Sequence, residues 1–187
     1  KLFYFFIFTL TLCWSQSKAE INVVTSIKPI HSFASLVMKG VATPQLIVDA
    51  NNSPHNFTMK PSDAKIIQNA DIIFWVHEDL EAFLKKPLKQ SKNAKIIELM
   101  NINGLKKLKF REKNIFNDDH DDHGHSQKKE KQGHDHDHGH AHGEFDLHIW
   151  LDPVNAKVII KEMTKQLGLI DPQNKKKYQE NMQQAFL

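Results

Sequence analysis

Histidines alternate with small or acidic residues in one stretch of the chain, and a further histidine stands just beyond them in different company. Residues Gly133 to Trp150 read GHDHDHGHAHGEFDLHIW. His134, His136, His138, His140 and His142 recur at every second position, with Asp135 and Asp137 between them; His120, His123 and His125 precede them in the same biased segment. Imidazole is a common ligand for Zn, Cu, Ni and Fe. On Gly- and Asp-rich chain, such ligands are redundant, and each arrangement costs ordering entropy. The expected chemistry is weak to moderate chelation of several ions, with fast exchange and little geometric selectivity. The plainer alternative is a solvated spacer. Protons should compete for these imidazoles and loosen binding below about pH 6, given an ordinary histidine pKa of about 6.5.

His148 belongs to a different class. It sits between Leu147 and Ile149, just ahead of Asp152-Pro153. In an extended segment its side chain would point opposite to both apolar neighbours. A histidine beside an apolar run reads first as a satisfied core residue. Bracketed by core positions and a helix cap, however, it can also be held in one geometry, as a metal ligand needs. His55 is its counterpart in Ser53-Pro54-His55-Asn56-Phe57. Pro54 stiffens the backbone directly before the imidazole. Taken alone, His55 would read as polar surface.

The elements that must position these two histidines alternate in type. Ile21 to Thr25 is a short β-branched run and reads as a buried strand. Pro29 opens a helix-like stretch with Phe33, Leu36 and Val37 at helical spacing, ending near Gly40. Leu46 to Val48, Ile72 to Val76 and Lys95 to Leu99 are further strands. Helices are expected from Pro61 through Gln68 and from Leu80 to Lys89, the latter interrupted by Pro87. Asp152-Pro153 pairs an N-cap with proline at the first helical position, predicting a helix to about Gly168, and Asp171-Pro172 repeats the signal for a helix still running at Leu187. This order predicts an α/β lobe with a parallel sheet covered on both faces. Ligands of such sheets bind where strands lead into loops at their carboxyl ends, and His55 lies in such a loop.

Composition narrows the function classes. With 40% hydrophobic residues a core can form, and a net charge of +3 gives no sign of a nucleic-acid partner. The Lys175-Lys176-Lys177 run reads as a solvated helix face. The expected assembly is a monomer. Lys1 followed by the largely apolar run Leu2 to Trp14, then Ser15-Gln16-Ser17-Lys18-Ala19, reads as a secretory signal peptide cleaved after Ala19. Cys13, the single cysteine, falls inside it, so disulfides and thiolate metal sites are not expected beyond that point. Lipidation at Cys13 is a weaker reading, because bulky Leu12 precedes it. Residues 117–143 carry eight histidines and six aspartates with no large apolar residue, which predicts a disordered insertion.

Taken as an ordered series, these segments resemble the periplasmic zinc-binding components of ABC importers, the ZnuA-like solute-binding proteins. The series runs Thr25-Ser26-Ile27-Lys28-Pro29, Ser53-Pro54-His55-Asn56-Phe57, Pro61-Ser62-Asp63, Gln68-Asn69-Ala70-Asp71, Trp75-Val76 and Leu80-Glu81-Ala82-Phe83. The His/Asp-rich segment follows, then His148-Ile149-Trp150-Leu151-Asp152-Pro153. The resemblance implies two α/β lobes joined by a long helix, with Zn²⁺ held between them by histidines from both. His55 matches the first metal histidine and His148 the second; a third, and any acidic group, would come from a C-terminal lobe missing from this chain. The implied layout is a signal peptide (1–19), an N-terminal metal-binding lobe (20–116), a His/Asp-rich loop (117–143), the remainder of that lobe (144–170) and the start of the linking helix (171–187). The chain stops inside a helical pattern, which reads as a truncated record. Phe57 departs from the tyrosine frequent in the family. His77, with Glu78 and Asp79 behind it, stands where a small residue is usual and reads as surface, with approach to the cleft as the alternative.

The implied function is high-affinity capture of zinc in the periplasm and delivery to an ABC membrane permease, with the histidine-rich loop as an auxiliary collector or a sensor. Nitrogen ligands favour zinc, whereas a manganese site would carry more carboxylate. The alternatives are a periplasmic zinc buffer, or a metal-dependent adhesin, manganese included, with no transporter role. A secreted zinc hydrolase is not supported: no HExxH, Ser-His-Asp spacing or phosphate-cradling glycine loop is present.

Overall fold

The structure, a computed structural model, describes residues 20–109 and 144–187. The expected signal peptide, the segment 117–143 and its eight histidines lie outside the described residues. The elements run β1 (Val23–Ile27), α1 (Lys28–Met38), β2 (Gln45–Val48), α2 (Pro61–Gln68), β3 (Ile72–Trp75), α3 (Lys85–Gln90), β4 (Lys95–Glu98), α4 (Pro153–Ile170) and α5 (Lys175–Ala185).

The four strands form one parallel sheet in the order β2-β1-β3-β4. Every residue of β1 and β3 is buried, as a central strand covered on both faces requires. β4 is an edge, and its first residues Lys95 and Ile96 are exposed; a lysine there discourages pairing with another chain. The chain leaves β1 toward β2 and later returns to β3 on the other side of β1. Right-handed crossovers then put α1 on one face and α2 and α3 on the other. That reversal makes the carboxyl ends of β1 and β3 a topological switch point, where a crevice opens.

Local chemistry explains the element boundaries, with some differences from the sequence expectation. β1 begins two residues later than anticipated and runs on to Ile27. In α1 the buried face is Ile30, Ala34, Val37 and Met38; Leu36, expected on it, points outward and is 47% exposed. Gly40 follows with φ +76, the left-handed turn that favours glycine. Pro87 does not interrupt a helix from Leu80. A 3₁₀ turn at Ala82–Leu84 comes first, and α3 starts at Lys85, so Pro87 falls in its first turn, where a missing N–H costs no helical hydrogen bond.

Asp152 caps α4 as expected, its Oδ1 accepting from Val154 N–H at 2.7 Å, and the helix continues two residues past Gly168. Asp171 does not cap a helix in the same way. Its carboxylate accepts from Asn174 Nδ2 at 2.6 Å and from the Tyr178 hydroxyl at 2.8 Å, a 3₁₀ turn spans Pro172–Asn174, and α5 ends at Ala185 rather than continuing to Leu187. The Lys175–Lys177 run is exposed, as anticipated. α5 packs on α1 and α4. Asn181 Nδ2 secures it by donating to the carbonyls of Val37 and Lys39, both at 2.8 Å. Among the described residues, no helix is long and apolar enough to cross a membrane.

Candidate metal centre

A cavity of about 300 Å³ opens at the carboxyl end of the sheet, and both His55 and His148 line it. Its wall is made where β1 passes into α1 (Ile27 to Pro29), where β2 ends (Val48 to Ala50), and by Leu80 beyond β3. The sheet therefore brings together histidines separated in sequence by α2, β3, α3 and β4. Lys28 and Asp49 are the other charged side chains around it.

His55 is the second residue of a one-turn 3₁₀ helix, Pro54–Asn56. Pro54 begins the turn, and Ser53 Oγ accepts from His55 N–H at 3.3 Å. This backbone capping leaves the exposed imidazole unused; among the described residues its ring has no hydrogen-bond partner. Phe57, two residues on, packs its ring against Phe83, with centroids 4.9 Å apart and planes at 59°. That contact fastens the end of the His55 turn to the segment following β3.

His148 is neither extended nor in the core. It precedes the 3₁₀ turn Ile149–Leu151 with φ −77 and ψ 43, and its side chain is 50% exposed. The apolar burial comes from Ile149, while the imidazole faces the cavity and solvent. The ring is nevertheless tethered. Asp146 Oδ1 lies 2.7 Å from His148 Nδ1 and accepts from His148 N–H at 2.9 Å. The backbone hydrogen bond, aided by the one from the ring, holds the Asp146 carboxyl below its usual range. The Trp150 ring, also on the cavity wall, lies 5.3 Å from the imidazole at a 60° tilt.

Asp146 is the contributor that sequence reasoning missed. The available signal was a carboxylate two positions before the histidine, the spacing at which an aspartate turns back onto the N–H of residue i+2. Asp49 caps the turn after β2, its Oδ1 accepting from Asn51 N–H and Asn52 Nδ2, and it also borders the cavity. His77 and Glu78 lie elsewhere, lining a separate cavity of about 400 Å³ with Trp75 and Glu98; Asp79 contacts His77 at 3.4 Å. None of these three borders the His55–His148 cavity.

The segment holding Asp146 is itself anchored. Lys109 and Phe145 form an antiparallel bridge, Asp146 N–H donates to Leu108 C=O at 2.8 Å, and Lys109 Nζ meets Glu144 at 2.8 Å. Asn155 fastens the approach by exchanging two hydrogen bonds with the backbone of Lys106. The residues flanking 110–143 are thereby joined next to His148. Among the described residues, no three His, Cys, Asp or Glu side chains converge as a complete metal shell. What the cavity holds is two imidazoles on one wall, each with a nitrogen able to donate a lone pair.

Comparison with known proteins follows the same outline. The family model described as "Zinc-uptake complex component A periplasmic" (ZnuA) matches residues 23–186. Over 176 residues the chain is 48% identical to the high-affinity zinc uptake system protein ZnuA of Brucella abortus, covering 86% of this chain and 52% of that protein. It is 33% identical over 164 residues to the Yersinia pestis protein of the same description, covering 88% and 51%. Among solved structures, the Mn-bound periplasmic metal binding protein from Candidatus Liberibacter asiaticus matches with a TM-score of 0.66 at 26% identity, over 88% of this chain and 51% of that one. The chain thus spans about half the length of the curated relatives it matches.

Proposed function

Because the chain belongs to the ZnuA family of periplasmic zinc-uptake components, we propose that it captures zinc in the periplasm with high affinity and delivers it to the membrane permease of an ABC importer. The observation that carries this reading is the meeting of His55 and His148 on one cavity at the switch point of the sheet. The role is binding and handover, not catalysis.

Neutral imidazole offers a nitrogen lone pair of the borderline softness that suits Zn²⁺, whereas a site favouring manganese would draw more on carboxylates. His55 and His148 are the proposed protein ligands on this wall. The remaining coordination positions fall to water or to groups outside the described residues.

The expected signal peptide at 1–19 fits periplasmic delivery. The His/Asp-rich segment 117–143 fits an auxiliary collector or sensor. Its histidines are His120, His123, His125, His134, His136, His138, His140 and His142. The bridge between Lys109 and Phe145 supports that role, since it brings the residues flanking 110–143 together near His148, so that zinc exchanging from the tract would be released close to the cavity. In this proposal residues 171–187 begin the helix that links the lobe to a second one.

The test is a zinc titration of the full-length protein against a competing chelator, followed by transfer of labelled zinc into vesicles carrying the cognate permease and ATPase. One tight site and permease-dependent transfer are expected. A tight site without transfer would favour a free periplasmic buffer, and tighter binding of manganese than zinc would overturn the metal assignment.

A further inference from the structure

We propose that Asp146 is the positioning residue of this centre: it keeps the proton of neutral His148 on Nδ1 and so leaves Nε2 as the ring nitrogen that meets the ion. The inference rests on the reading of His148 as a metal ligand and adds which nitrogen binds and what selects it.

A carboxylate only accepts hydrogen bonds, so the 2.7 Å contact between Asp146 Oδ1 and His148 Nδ1 requires the proton to sit on Nδ1. The lone pair of the neutral ring then lies on Nε2. Half-exposed as it is, this imidazole would otherwise sample several rotamers and exchange tautomers. Asp146 is itself restrained from two sides. Its N–H donates to Leu108 C=O, and its Oδ1 also accepts from the His148 N–H, closing a turn around the histidine. Trp150 limits the ring on another side. His55 has no such partner among the described residues, so one imidazole of the pair is preset and the other adapts. A carboxylate behind a metal-bound histidine typically contributes about 10- to 100-fold in affinity.

The experiment uses the full-length protein with ¹⁵N-labelled histidine. Long-range ¹H–¹⁵N spectra of the zinc-free form report the His148 tautomer, and chelator competition reports zinc affinity. In the wild type, protonation on Nδ1 is expected. In Asp146→Ala the ring should revert to mixed tautomers, with zinc binding about 10- to 100-fold weaker. Asp146→Asn, whose amide oxygen still accepts from Nδ1–H, should recover the tautomer and most of the affinity. Thermal unfolding of both variants controls for collapse of the turn. A wild-type ring protonated on Nε2 overturns the proposal, as does an Asp146→Ala variant with altered tautomer but unchanged zinc affinity. An unchanged affinity in His148→Ala would instead sink the metal-centre reading, a failure that the spectra of zinc-free protein do not share.

Discussion

His55 and His148 face one cavity although one precedes α2 and the other precedes α4. If both bind the same ion, their effects must be coupled. Alanine at either position is expected to weaken the tightest zinc site by about 100-fold, roughly 2.7 kcal/mol. The double variant should lose much less than the product of the two, because an ion released by one ligand no longer reports on the other. Chelator competition on the four proteins of the cycle checks this. If only one of the two substitutions weakened that site, the histidines would serve different ions.

Deleting residues 117–143 separates the two histidine classes. The deletion should remove several weak sites while leaving the tightest one intact, because the Lys109–Phe145 bridge, which lies outside the deletion, can still close the shortened loop. Calorimetric titration should show the low-affinity phase vanish and the first phase persist. Loss of the first phase on deletion, with His148→Ala silent, would reverse the assignment.

Much of this arrangement was legible in the sequence because it depends on local signals. The β-branched runs, the prolines at helix starts and the Asp152 cap each act over a few residues, and the strands they predict fall into the parallel sheet within a residue or two. What escaped depends on through-space contacts. The sequence could not show that Leu36 would face outward, since periodicity allows neighbouring faces of a helix. Nor could it show that Asp171 would serve Tyr178 instead of a helix N-terminus, because that choice is made by burial of the tyrosine. Asp146 was hidden for another reason. Its partner is only two residues away, but whether the chain turns back or extends there is decided by the Leu108 carbonyl, far away in sequence.

The Tyr178–Asp171 contact supplies a stability prediction. Tyr178 is fully buried, and its hydroxyl donates to an Asp171 carboxylate that is only 5% exposed. Burial, reinforced by that carboxylate, pushes the phenol pKa upward, so the hydroxyl stays a donor throughout the working pH range. Tyr178→Phe removes the donor and leaves a buried charge with Asn174 as its remaining side-chain partner. A loss of about 1–3 kcal/mol is expected in urea unfolding, with the denaturant slope unchanged. A neutral substitution would show that the carboxylate finds water instead.

Glu81 gives the pH dependence of the fold, and its sign is the reverse of an ordinary paired carboxylate. The side chain is fully buried beyond β3; its Oε2 accepts from Val76 N–H at 2.8 Å and His77 N–H at 3.0 Å, while its Oε1 is buried without a partner. Burial outweighs the nearby Ser26 hydroxyl and these hydrogen bonds and pushes the pKa from 4.5 up to about 7, with Glu98 adding repulsion. Between those values the folded chain keeps a proton that the unfolded chain has released. The Glu81 contribution is therefore fully present below about pH 4.5 and is lost as pH rises through about 7. Its size is on the order of 3 kcal/mol. Glu81→Gln, which cannot ionise, should gain stability relative to the wild type from pH 5 to pH 8, by up to that amount, and the difference should level off above pH 8. Urea unfolding of both proteins across this range measures it. A difference that stays constant with pH would mean that Glu81 is ionised throughout and that the cost of burying its charge is met by its two backbone donors.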